Sequence, residues 1–116
     1  MGNTEWEINF FKHNNKSPVE DWLNDLPVYA RSKMLRHIEL LKKNGLSLKE
    51  PFVKYVKNKI YELRMRDKAG IYRILYFAHK EKTFVLLHGF VKKTNKTPDE
   101  AIKIAENRMK EIINKK

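Results

Sequence analysis

The sequence predicts an α+β fold built on an antiparallel sheet. Three apolar segments, at residues 59–66, 71–78 and 83–91, follow one another with short polar connections between them. Connections this short usually join antiparallel neighbours, so the three segments predict a β-meander. Segments with helical periodicity precede and follow the meander, and helices covering an antiparallel sheet make an α+β domain. The predicted order of elements is β-α-α-β-β-β-α.

The N-terminal part of the chain predicts one strand and a short helix. Residues 6–10 alternate between apolar and polar side chains, which is typical of a half-buried strand. Ser17 and Glu20 have the spacing of a capping box, and Pro18 suits the first position of a helix. The first helix is therefore expected at residues 18–26.

A second helix is expected from Pro27 to Asn44, because Gly45 is a typical helix stop. Its predicted apolar stripe comprises Ala30, Met34, Leu35, Ile38 and Leu41. Its predicted solvent face comprises Lys33, Arg36, His37, Lys42 and Lys43. The lysine-rich residues 46–58 that follow are predicted to form a loop.

The last helix is predicted from Pro98 to about Ile113. Thr97, Pro98 and Glu100 repeat the capping pattern of the first helix. The apolar residues of this segment are spaced for one helical face. With 116 residues, the whole chain (1–116) is expected to form a single domain.

The composition favours a polyanionic partner and argues against several kinds of site. Lysine and arginine number 25 against 14 acidic residues, which gives a net charge of +11. The absence of cysteine excludes disulfides and thiolate chemistry. The histidines lack metal-ligand spacing, so neither a metal nor another cofactor is expected. No segment has the pattern of a membrane span or a signal peptide, so a cytoplasmic protein without membrane contact is predicted.

Charged side chains interrupt the predicted core strands. Arg64 and Arg73 lie within the first two strands of the meander, and His88 lies within the third. A buried charge is costly unless a partner compensates it, so these residues indicate a phosphate-binding site if they share one face. Alternation along the third strand places His88 on the face of Leu86 and Phe90. The lysines expected to border the site and bind a polyanion are Lys54, Lys57, Lys59, Lys92, Lys93 and Lys96.

Three segments of the chain are more specific: Y-E-L-R, Y-R-I-L-Y and L-L-H-G-F-V-K-K-T-N-K-T-P. They resemble the phage-derived, HigB-like branch of the RelE/ParE toxin superfamily. The early P-V-E-D-W-L segment and the last helix also fit, so the resemblance covers nearly the whole chain. It implies a metal-free endoribonuclease that cleaves mRNA on the ribosome. The partners that it implies are ribosome-bound mRNA and a separate antitoxin, commonly one with a helix-turn-helix domain.

The resemblance also implies roles for the two arginines. In metal-free cleavage the 2′-hydroxyl of RNA attacks the adjacent phosphate, and cations stabilise the developing charge. The planar, permanently charged guanidinium of arginine suits that task. Arg73 matches a superfamily arginine implicated in phosphate stabilisation, and Arg64 matches a basic position at the end of the preceding strand. The structural alternative for both is ion pairing with Glu62, Asp67 or a chain terminus.

The groups that would transfer protons are left open. Ile60 and Glu62 stand where RelE has lysines, so the usual lysine base is missing. Glu62 is either a general base or an ion-pair partner of Arg64. His88 is either a proton-transfer group, since histidine titrates near neutral pH, or a structural residue.

Two other functions compete with RNA cleavage. A ParE-like protein of the same fold would inhibit DNA gyrase, because fold alone does not determine function. A nucleic-acid-binding module without catalysis is the third possibility, since a charge of +11 provides affinity for phosphates whatever the chemistry.

Overall fold

The computed structural model describes residues 5–115 and confirms the α+β class and the predicted order, with one additional strand. The helices are α1 (Pro18–Asn24), α2 (Val28–Asn44) and α3 (Asp99–Ile113), and a 3₁₀ turn (Gly45–Ser47) follows α2. The strands are β1 (Glu7–Phe10), β2 (Val53–Lys57), β3 (Ile60–Asp67), β4 (Gly70–Ala78) and β5 (Thr83–Lys92).

The five strands form one mixed sheet in the order β1-β5-β4-β3-β2. The segments from β2 to β5 pair in antiparallel fashion as a meander, as the short connections predicted for β3 to β5. Strand β1 closes the other edge by pairing parallel to β5, so the N-terminal and C-terminal strands are neighbours. Strands β4 and β5 therefore occupy the centre, where side chains on both faces are covered.

Each face of the sheet has its own hydrophobic core. Helices α1 and α2 pack on one face, where Met34 and Leu41 of α2 meet Leu63, Ile74 and Leu86 of the sheet. Helix α3 packs on the other face through residues such as Ala105 and Met109. We call these the α1–α2 face and the α3 face. Among residues 5–115, no helix is long and apolar enough to cross a membrane.

Strand β2 is the element that the sequence prediction missed. Residues 46–58 were expected to form a loop because of their lysines, but Val53–Lys57 forms an edge strand. Edge strands tolerate lysine, since one side of the strand remains in water. Asn58 and Lys59 both have positive φ angles (51° and 72°), which suits the tight turn into β3.

Details at the helices also differ from the prediction. Leu35 was assigned to the buried stripe of α2, but its side chain is 47% exposed, so that assignment was wrong. Helix α2 ends at Asn44 as predicted, and Gly45 has a φ of 57° that favours glycine. Neither Ser17 nor Thr97 caps a helix through its side chain. The hydroxyl of Thr97 instead donates a hydrogen bond to Glu62.

Candidate functional site

The charged side chains of β3 and β4 lie together on the α3 face. Arg64 and Arg73 are directly opposite each other in the antiparallel register, and Phe90 of β5 is opposite Arg73. Glu62 and Arg66 share the face of Arg64, because side chains two residues apart on a strand point the same way. We call Glu62, Arg64, Arg66 and Arg73 the arginine cluster.

Glu62 is the centre of the arginine cluster and is completely buried. Its Oε1 atom lies 3.1 Å from Nε of Arg64, and its Oε2 atom lies 3.7 Å from Nη1 of Arg73. The hydroxyl of Thr97 donates a hydrogen bond of 2.8 Å to Oε2. A buried carboxylate requires such partners, because removing a charge from water costs several kcal/mol. Glu62 is therefore an ion-pair partner of both arginines.

Arg73 is also completely buried. Its Nη1 atom donates a hydrogen bond of 3.0 Å to the carbonyl oxygen of Lys96, and its guanidinium lies 5.7 Å from the centre of the Phe90 ring. Burial lowers the pKa of Arg73, and the negative charge of Glu62 opposes that effect. Within residues 5–115, its Nε and Nη2 atoms have no hydrogen-bond partner. In this conformation the Arg73 side chain lies in the buried part of the cluster and does not reach solvent.

Arg64 and Arg66 connect the buried part of the cluster to the surface. The Arg64 side chain is 13% exposed, and its Nη2 donates a hydrogen bond of 3.3 Å to the carbonyl oxygen of Asn95. Arg66 is exposed and donates a bond of 2.8 Å to the side-chain oxygen of Asn95. These two guanidinium groups are therefore placed where an external phosphate could contact them. Arginine suits such a contact because it can donate two parallel hydrogen bonds to a phosphate.

His88 lies on the α3 face in a neighbouring cavity. A β-bulge at Leu87 of β5 shifts the β4–β5 register between Leu75 and Tyr76, so His88 shares a face with Phe90, as predicted, but not with Leu86. The cavity has a volume of about 230 Å³ and is also lined by Lys92 and by the first turns of α3. Burial and the charge of Arg108 lower the pKa of His88 to about 4. Its imidazole is therefore neutral at neutral pH.

The six lysines predicted to border the site lie in three places. Lys54 lies opposite Glu62 in the β2–β3 register and is half-buried beside the cluster. Lys92, Lys93 and Lys96 are exposed at the end of β5 and in the segment that follows it. Lys57 and Lys59 lie at the β2–β3 turn, at the end of β3 away from Arg66.

Lys59 in particular is not beside the arginine cluster. It lines a cavity with Tyr55 and Tyr61 on the α1–α2 face. A larger cavity of about 470 Å³, lined by Tyr55, Tyr61 and Tyr76, adjoins it on that face. The arginine cluster lies on the other face, so these cavities do not form part of the candidate site.

Three residues of the site were not predicted from the sequence. Arg66 was assigned no role from the sequence, although its spacing of two residues from Arg64 within one strand was a usable signal for a shared face. Asn95 and Thr97 lie in the segment after β5, and Thr97 was interpreted as a helix cap. No sequence signal connects Thr97 with Glu62, since their bond joins residues 35 positions apart.

The donor chemistry of the site does not suggest a metal centre. The cluster contains one carboxylate among three arginines, and cations repel a metal ion. Across residues 5–115, no group of three or more histidine, aspartate or glutamate side chains is arranged to hold a metal. The arrangement instead offers positive charge at a surface, which suits a phosphate.

Comparison with known proteins gives one clear result. A family model described as phage-derived protein Gp49-like matches residues 21–110, which include the second half of α1, all of α2, the meander and most of α3. No curated protein matches the chain. Because the matched region covers most of the chain, the protein belongs to the Gp49-like, phage-derived family, which is associated with the toxins of toxin–antitoxin systems.

Proposed function

We propose that this protein is the toxin of a type II toxin–antitoxin system and an endoribonuclease that cleaves mRNA on the ribosome. The observation that carries the proposal is the arginine cluster, in which Arg64 and Arg66 reach the surface beside exposed lysines. The family supports a toxin, and the resemblance to the HigB-like branch of the RelE/ParE superfamily supports RNA as its target. The proposed reaction needs no cofactor.

In the proposed reaction Arg64 contacts the scissile phosphate and stabilises the charge that develops on it. Losing one oriented donor of this kind typically lowers the rate by about 10²–10³-fold. Arg73 is buried opposite Arg64 on the neighbouring strand and shares Glu62 with it. Its proposed role is therefore to hold the cluster in place. This differs from the sequence-based expectation, which gave Arg73 the direct contact.

Of the two candidate bases, His88 is more available than Glu62, but its lowered pKa makes it a weak base. Glu62 is buried and engaged by Thr97 and two arginines, so it is not available as a base in this conformation. His88 is neutral at neutral pH and lines a cavity next to Phe90, so its free nitrogen can accept a proton. A base with a pKa of about 4 is weak at neutral pH, because efficient bases have a pKa near the working pH.

One observation favours a second function, which is RNA binding without cleavage. Glu62 and Arg73, two of the four predicted catalytic residues, are completely buried. A basic surface alone binds RNA through its phosphates, and a net charge of +11 supports such binding. The two functions share the surface and differ only in chemistry.

Inducible expression with mapping of transcript ends tests the proposal. The wild type should arrest growth and produce cuts within translated messages. Arg64→Ala should reduce cutting by about 10²–10³-fold, because it removes a charge-stabilising donor. Lys68→Ala is the matched control, since it removes an exposed cation from the β3–β4 turn and should cut like the wild type.

Three results would contradict the proposal. Intact messages with DNA breaks typical of gyrase poisoning would indicate a ParE-like inhibitor. Intact messages with ribosome-associated protein would indicate RNA binding alone. Cutting by a folded Arg64→Ala variant at the wild-type rate would reject the assigned residue. Arg73→Ala should also lose activity, but only a folded sample, verified by circular dichroism, is informative because Arg73 is buried.

We also propose that an antitoxin neutralises the protein. The excess of positive charge favours an acidic segment as the contact, and a helix-turn-helix domain is the expected companion of that segment. Co-expression with the product of a neighbouring small gene should restore growth. Continued arrest despite a stable antitoxin candidate would argue against that pairing.

A further inference from the structure

We propose that Thr97 is a positioning residue that holds the basic segment after β5 against the arginine cluster. With Thr97 in place, the lysines of this segment and the two surface arginines form one phosphate-binding surface. The inference rests on the proposed function in that RNA is taken as the ligand. It does not depend on cleavage.

The segment at residues 93–98 connects β5 to α3 without regular secondary structure. We call it the β5–α3 segment. It contacts the arginine cluster at three successive residues. Asn95 accepts hydrogen bonds from Arg64 and Arg66, Lys96 accepts one from Arg73 through its carbonyl oxygen, and Thr97 donates one to Glu62. The segment is thus attached to every member of the cluster.

The hydrogen bond made by Thr97 differs from the other two attachments. Thr97 is only 8% exposed, whereas Asn95 and Lys96 are exposed residues. Its hydroxyl donates to the fully buried side chain of Glu62, and this hydrogen bond is itself buried. The bond from Arg73 to Lys96 is only partly buried and the two bonds to Asn95 are exposed, and exposed hydrogen bonds compete with water and contribute less. Thr97 is therefore the residue that fixes the segment.

The consequence lies in the lysines on either side of this hydrogen bond. Lys93 and Lys96 are exposed and belong to the β5–α3 segment, and Lys92 ends β5. Fixing the backbone of the segment keeps Lys93 and Lys96 close in the chain to Asn95, which contacts Arg64 and Arg66, before RNA arrives. Such pre-organisation reduces the ordering cost that binding would otherwise carry. In the K-K-T-N-K-T-P motif, the last threonine, Thr97, therefore orients the lysines that precede it.

The salt dependence of RNA binding tests this role. The probe is a short single-stranded oligouridine, and affinity is measured by fluorescence anisotropy over a range of salt concentrations, without ribosomes. In Thr97→Val the hydroxyl is replaced by a methyl group of similar size. Its binding should weaken, and the slope of log affinity against log salt should fall by about 0.7 for each phosphate that the variant no longer neutralises. Thr97→Ser keeps the hydroxyl and should restore both quantities.

Several outcomes would overturn the proposal. A folded Thr97→Val protein with the wild-type slope would show that the lysines do not depend on the hydrogen bond to Glu62. A folded Thr97→Ser protein with the reduced slope of Thr97→Val would show that the hydroxyl does not determine the slope and would reject the role given to its hydrogen bond. If Thr97→Val does not fold, Thr97→Ala replaces it, and failure of both to fold would make Thr97 a purely structural residue and reject the proposal.

Failure of the proposed function would look different. A wild type that binds the oligouridine with a steep salt dependence but leaves transcripts intact would refute cleavage. In that case, a reduced slope in Thr97→Val and its recovery in Thr97→Ser would still support the positioning role. A wild type without salt-dependent binding to RNA would refute the positioning role directly.

Discussion

The two faces of the sheet are made by alternate residues of the same strands, yet they differ in kind. On the α1–α2 face, β3 and β4 present Leu63, Met65 and Ile74 to an apolar core. On the α3 face, the intervening positions carry Glu62, Arg64 and Arg73. Helix α3 covers the apolar part of this face, and the β5–α3 segment covers the charged part.

The two faces also differ in how much they contribute to the stability of the fold. Apolar burial on the α1–α2 face contributes roughly 25 cal/mol for each Å² removed from water. A buried ion network on the α3 face roughly balances its desolvation cost and is weak evidence for stability. Charged clusters of this kind are more typical of functional sites, although structural networks also occur. The α1–α2 face therefore holds the fold together, and the α3 face carries the candidate chemistry.

Removing the central carboxylate should have the largest effect. Glu62→Ala leaves the buried charge of Arg73 without its partner, so we expect a loss of about 3–5 kcal/mol in the free energy of unfolding. Chemical denaturation measures this loss. Glu39→Ala, at an exposed position of α2, is the control and should change the free energy by less than about 0.5 kcal/mol. A loss below about 1 kcal/mol for Glu62→Ala would show that the network does not need its carboxylate.

Crowding the α1–α2 face should have an intermediate effect. A Cβ atom added at Gly89 would lie 2.4 Å from Cε3 of Trp22, so the ring of Trp22 must shift. Gly89→Ala should cost about 1–3 kcal/mol, as overpacking of a core usually does. Thermal denaturation measures the cost, and Trp22→Leu in the same chain should recover part of it. Purely additive losses in the double variant would contradict a direct clash.

Near neutral pH, the smallest expected effect is the pH dependence caused by His88. Its pKa is lowered from 6.5 to about 4 in the folded protein, so between these two pH values the unfolded chain binds a proton that the folded chain does not. Stability should therefore fall as the pH drops from about 6.5 to about 4, and this contribution should level off below that range. Melting curves of the wild type and of His88→Gln measure the difference. Equal pH profiles would contradict the burial of a neutral His88.

Local sequence signals were sufficient for most elements. The three segments at 59–66, 71–78 and 83–91 became strands with ends within one or two residues of those predicted. Proline and glycine correctly marked the start of α1 and the end of α2. Such signals depend on neighbours in the chain, so no knowledge of packing was needed. The lysine-rich β2 was missed because its assignment depends on pairing with β3.

The candidate site was only partly predictable. The sequence left open whether Arg64 and Arg73 share a face, because alternation does not give the register between strands, and the β3–β4 pairing places them on the same face. The ion-pair alternative for Glu62 is what the structure shows. The bulge in β5 changed which residues accompany His88, and bulges leave little trace in a sequence. The sequence around Thr97 matches a helix-capping pattern, and it does not indicate the hydrogen bond that Thr97 donates to Glu62.

The order of residues therefore specified the strands, the helices, the excess of positive charge and the positions of the arginines within strands. Periodicity and composition are local or summed properties, so they can be read directly along the chain. Burial of Arg73, its sharing of Glu62 with Arg64 and the attachment of the β5–α3 segment are different. They depend on strand register and on which distant segment covers a face, because a charge inside a strand becomes a site only when folding supplies its partners.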